Sequence, residues 1–129
     1  MGEERAYRWD PAVSAIKRGM LFTEHHDAPV AMPSAMMIVF ASVNRTSRSG
    51  AVIGPEQRIS PYMALKSITA SAAYQYFEEN IKGTLKPGKL ADFVILDKNP
   101  IEVDPATIKD IRVLQTIKEG DTVYRAARG

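Results

Sequence analysis

Residues 20–27 read Met20-Leu21-Phe22-Thr23-Glu24-His25-His26-Asp27, a short apolar run that passes directly into a cluster of titratable side chains. Placed after Gly19, the apolar part has the length of a buried strand. In parallel α/β folds the carboxyl ends of strands are where loops assemble ligand sites, so two acids and two imidazoles crowded there carry more weight than elsewhere. In such a fold the stretch would gather its polar groups at the mouth of the sheet.

On the N-terminal side, Asp10-Pro11 is a helix-start pair, because the carboxylate can accept a free N–H and proline at the first helical position gives up no hydrogen bond. The predicted helix runs from Pro11 to about Lys17. On the other side, Pro29 and Pro33 bracket a turn, and Ser34 to Val43 is apolar enough for a helix buried over much of its surface, with Met32, Met36 and Met37 read as core. Asn44 to Arg58 is a polar loop. Ser60-Pro61 opens a helix through Met63, Ala64, Leu65 and Ile68, and Ser71 to Asn80 makes a second one, carrying Ala72, Ala73, Tyr76 and Phe77 on a helical period. Near Gly83 the pattern changes. Lys86-Pro87-Gly88 is a turn in which Lys86 and Lys89 read as solvated, residues 91–97 (ADFVILD) and 111–118 are strands, and Glu119-Gly120-Asp121 reverses the chain into a hairpin strand through Arg125. The division is 1–82, mainly helical, and 83–129, mainly β.

The totals set limits. At 129 residues and 45% hydrophobic content the chain suits one domain with a modest core. Seventeen Lys+Arg against fifteen Asp+Glu leave a formal charge of +2, which points to neither a nucleic acid nor an acidic membrane as partner. With no cysteine, disulfides, thiolate metal sites and cysteine nucleophiles are excluded, and a metal would have to use His or carboxylate. MGEERAYRWD lacks the apolar core of a signal peptide and no run approaches the ~20 apolar residues of a membrane span, so the expected location is cytoplasmic.

Several separated motifs, GEERAYRWDP, HHDAPV, RTSRSGAVIGPEQRIS, ALKSITASAAYQYFEE, KGTLKPGKLADFVILDKNP and TIKEGDTVY, resemble in order and spacing the C-terminal part of amidohydrolase family 3, the YtcJ-like metal-dependent hydrolases. The resemblance implies the last strand and helices of a (β/α)8 barrel in residues 1–82, and the C-terminal share of a small β-sandwich in 83–129. A whole barrel needs about 250 residues, so the implied domain is incomplete here. The implied activity is hydrolysis of non-peptide carbon–nitrogen bonds in small amide-type substrates, with a divalent metal, zinc foremost, in the complete enzyme.

By the same resemblance Asp27 is the catalytic and metal-contacting aspartate at the end of the eighth strand. In that role it takes a proton from metal-activated water and returns it to the leaving nitrogen. The family usually has a small residue, often serine, between His and Asp, where this chain has His26, so either His25 or His26 is placed to face the site; His25 is the candidate ligand. Arg45 is a candidate for binding a substrate carboxylate, weighed against the more common case of a solvated loop arginine. The remaining family ligands, a His-x-His pair, an acidic residue or carboxylated lysine, and further histidines, come from earlier strands and are not in this sequence. The expectation is an inactive piece in isolation that associates with copies of itself or with a complementing chain, the alternative being a non-catalytic binding module.

Overall fold

The computed structural model describes residues 2–127. Five short helices come first: α1 (Glu3–Tyr7), α2 (Ala12–Lys17), α3 (Ala35–Asn44), α4 (Pro61–Ser67) and α5 (Ala70–Gln75), with a 3-10 turn at Pro55–Gln57 before α4. Then come β1 (Phe93–Leu96), a 3-10 helix at Pro105–Asp110, β2 (Val113–Lys118) and β3 (Asp121–Arg125). The strands form one antiparallel sheet in the order β1-β2-β3.

The helix boundaries follow from local chemistry. Ser34 and Ser60 each accept a hydrogen bond from the N–H three residues on, Met37 and Met63, so their hydroxyls cap α3 and α4, and Pro61 occupies the first turn of α4 at no cost. Gly19, with φ +68°, ends α2: its own N–H donates to Ile16 and that of Met20 to Ala15, closing a Schellman motif. Phe77 repeats the device after α5 with φ +59°, its N–H bonded to Tyr74 and that of Glu78 to Ala73. The second helix of this pair therefore stops at Gln75, well short of Asn80, and Tyr76 and Phe77 lie exposed outside it, so their helical spacing in the sequence was no guide to burial.

Four further expectations are corrected. Asp10 does not cap α2; Pro11 holds the cap position, and Asp10 takes a left-handed backbone with its carboxylate turned toward Arg45. Of the three methionines read as core, Met36 is buried; Met37 is exposed because α3 packs on one face only, and Met32 is exposed in the segment before that helix. Lys89 is not a solvated turn residue: its Nζ donates to the carbonyls of Glu79 and Lys82 and so fastens the turn at Gly88 to the segment after α5. Most consequentially, residues 20–26 form no strand. Among the described residues, the backbone groups from Leu21 to His26 make no backbone–backbone hydrogen bond. A strand exists by pairing with a neighbour, and none lies alongside.

The core joins the two halves of the chain. Ala12, Met36, Val39, Val43, Ile59 and Ala64 from the helical half pack with Ile108 and Ile111 from the β half, Ile108 and Val39 being fully buried. Asn44 strengthens this junction by donating both to Phe40 within α3 and to the carbonyl of Pro105. In the sheet, Glu119 and Gly120 carry φ +52° and +90°, the left-handed pair that a two-residue hairpin turn requires, and Asp121 pairs with Lys118. At the far end of β1, the Arg112 N–H and guanidinium both donate to Asp97, and these bonds, the backbone one foremost, hold the Asp97 carboxyl below its ordinary range. No helix among the described residues is long and apolar enough to cross a membrane.

Candidate functional site

The segment after α2 brings Glu24, His25, His26 and Asp27 to one corner of the molecule, anchored at Thr23, whose hydroxyl donates to Gln75 Oε1 of the α5 end at 2.8 Å. Asp27 takes φ +52° immediately before a cis Ala28–Pro29 bond. Its N–H donates to His25 Nδ1 at 3.2 Å and its carbonyl accepts from Val30 at 2.7 Å. Both of those contacts belong to the backbone of Asp27. Its exposed carboxylate accepts no hydrogen bond and joins no ion pair among the described residues. His26 is half-buried and His25 exposed.

A cavity of about 440 Å³ opens beside this corner, between the α1–α2 junction and α3. His25 and Arg45 share its wall; Asp27 is not among its lining residues. Arg45 is the cap residue of α3, with φ +52°, and its side chain is 7% exposed. Each of its guanidinium nitrogens donates to a backbone carbonyl: Nε to Ile53 at 2.7 Å, Nη1 to Asp10 at 2.8 Å and Nη2 to Trp9. The Asp10 carboxylate lies 3.5 Å from Nη1. Arg45 thus staples the α1–α2 junction and the Ile53 loop to the end of α3. It is neither a solvated loop arginine nor, in this arrangement, a free fork for a substrate carboxylate.

Gly54 shows how tightly that staple draws the chain together: a Cβ there would sit 2.5 Å from the carbonyl oxygen of Tyr7. With φ +55°, the position suits glycine on both grounds.

Glu24 is the functional candidate that sequence reasoning passed over. It lines the cavity, and its Oε1 is buried with no hydrogen-bond partner among the described residues. Burial foremost, and then the nearby Asp10 charge, raise its pKa from 4.5 to about 7, with Ser42 and Arg45 pulling in the other direction. Glu24 belongs to no spaced motif, and its burial comes from α3 and the α1–α2 junction, far away in sequence. Only tertiary structure reveals it.

The metal implied by the resemblance does not fit the side chains present. Among the described residues no three His, Asp or Glu side chains converge as metal ligands, whereas a catalytic zinc site takes about three from the protein. His25 and Asp27 contribute a fraction of such a set.

Comparison with known proteins extends the picture along the whole chain. N-substituted formamide deformylase of Arthrobacter pascens is 25% identical over 114 residues, covering 88% of this chain and 21% of that protein. The amidohydrolase-family protein YtcJ of Bacillus subtilis is 26% identical over 130 aligned positions, covering 96% of this chain and 24% of that one. This chain thus spans about a fifth to a quarter of the length of these relatives. A solved amidohydrolase from Thermotoga maritima superposes with a TM-score of 0.67 at 21% identity, covering 89% of this chain and 26% of that one, a likeness of fold. The profile described as "Amidohydrolase family" matches residues 1–124, which include the Glu24–Asp27 corner, the Arg45 staple and the antiparallel sheet, and on that match the chain belongs to the amidohydrolase family.

Proposed function

We propose that this chain is the C-terminal portion of an amidohydrolase that cleaves carbon–nitrogen bonds of small amides, and that Asp27 is its proton carrier. The observation that carries the reading is the family match across residues 1–124 together with an Asp27 carboxylate left without an internal partner. A carboxylate held on a bent, exposed turn is free to accept a proton from an attacking water and to return it to a departing nitrogen. The relative that removes formyl groups from N-substituted formamides supports the amide class of substrate.

In this reading residues 1–82 supply the end of the barrel and residues 83–129 a share of the accompanying sandwich. Segments 20–26 then pair with a strand that this chain does not contain, and the other metal ligands come from the same missing strands. The chain alone is inactive.

The test is a chimera in which residues 1–124 replace the matching part of the Arthrobacter pascens formamide deformylase. Hydrolysis of N-alkylformamides is expected from the chimera, absent from the chain alone, and reduced by about 10²–10⁴-fold by Asp27→Asn. Undiminished turnover by the Asn variant would remove Asp27 from the mechanism.

A second reading, a self-associating non-catalytic module, draws on the exposure of Met20 (60%) and Leu21 (51%) beside the unpaired segment. It predicts a stable metal-free dimer by light scattering, with no gain of activity in the chimera.

A further inference from the structure

We propose that the cavity between the α1–α2 junction and α3 binds the ammonium end of a small organic amine. Its volume of about 440 Å³ lies in the range of small-molecule sites. Trp9, Ile38 and Ile53 give it apolar walls, while its titratable groups are Asp10, Glu24, His25 and Arg45.

The polarity of the missing partner follows from what those groups already do. Each nitrogen of Arg45 already donates to a backbone carbonyl and Nη1 also faces the Asp10 carboxylate, so the cavity's guanidinium is largely engaged within the chain. Glu24 Oε1, in contrast, is buried without a donor, a costly state that an incoming N–H relieves. With Glu24 ionised, two carboxylates set against one guanidinium favour a donor that also carries positive charge, and the Trp9 ring, 64% exposed, offers a face for the cation or its alkyl chain. A neutral alcohol satisfies the hydrogen bond without the charge, and a carboxylate satisfies neither. The site adjoins the Asp27 corner through His25, while Asp27 itself does not line the cavity.

Trp9 is the sole tryptophan of the chain, so its fluorescence reports on this cavity. The full chain is titrated in low-salt buffer with butylammonium, 1-butanol and butyrate. The expected result is a saturable change with butylammonium in the millimolar range, with the alcohol and the acid at least about tenfold weaker, the factor that one charge-assisted contact supplies. Glu24→Gln is expected to weaken the amine about tenfold or more. Ala41→Leu, which fills the cavity from α3 and leaves Glu24 in place, is expected to weaken it as well, and this variant decides the matter should the Gln variant fail to fold by circular dichroism. Equal responses to the three compounds, no response to any, or amine binding undiminished in the folded variants would overturn the proposal.

Discussion

Arg45 shows how far a single side chain departs from what its type suggests. A loop arginine near a candidate site invites a reading as substrate anchor or as solvated charge, yet its guanidinium is buried against the carbonyls of Trp9, Asp10 and Ile53. Hydrogen bonds from a charged donor are worth about 1.5–3 kcal/mol each, and truncation would leave several carbonyls unpaired. Arg45→Ala is therefore expected to lower stability by about 2–4 kcal/mol in denaturant unfolding, and Arg45→Lys to recover little, because an ammonium cannot reach three carbonyls in one plane. Glu24 makes a prediction of the opposite kind. Its folded-state pKa of about 7 lies above its ordinary 4.5, so between those values the folded chain binds more protons than the unfolded one. Stability from this group is full below about 4.5 and is lost as pH rises toward 7, by roughly 1–2 kcal/mol after discounting for its partial contact with solvent. Glu24→Gln should flatten that slope in unfolding curves recorded across the window; a slope unchanged in the variant would assign it to another group. Neither role was legible in the sequence. Each depends on partners that include residues far away in sequence, whereas the serine caps at Ser34 and Ser60 act within one helical turn and were legible at once.

Among the elements, the serine-capped helices and the three strands that find partners match the sequence reading, whereas the end of α5, the start of α2 and the segment without a strand partner do not. α3 and α4 begin at their serine caps, α2 ends at Gly19, and the Glu119-Gly120 turn sets the β2–β3 register. Residues 20–23 have the composition of a strand, but composition supplies only one side of a ladder. With no neighbour the segment is held by side-chain bonds such as Thr23 to Gln75. Its amides from Leu21 to His26 are expected to exchange with solvent near the rate of unstructured chain, while those of β2, paired on both sides, exchange far more slowly. Hydrogen exchange read by NMR checks this residue by residue. Protection at Phe22 and Glu24 comparable to that at Thr116 would mean that the segment finds a strand partner, and its dependence on protein concentration would identify that partner as a second copy of the chain.

For the molecule as a whole, the core explains how such a short chain holds together and the surface shows what it leaves open. The cluster around Val39 and Ile108 unites the helical and β halves, so the composition change near Gly83 marks a change of secondary structure across which one core is shared. Large apolar side chains nonetheless remain at the surface, among them Met20 and Leu21 beside the unpaired segment and Val94 and Tyr124 on the sheet. In longer relatives, of which this chain spans about a fifth to a quarter, further chain is available to cover such faces. The family was legible from motifs that survive as sequence whatever their partners do; the geometry of the corner was not, because it depends on side chains brought together from Asp10, Ser42 and Arg45. In the proposed reading Asp27 is the proton-transferring aspartate of a metal-binding set that the described residues do not complete. Zinc per chain by elemental analysis of tag-free, dialysed protein, with light scattering on the same sample, tests this. Far less than one zinc per chain is expected at any oligomeric mass; one tightly held zinc per chain would contradict the reading.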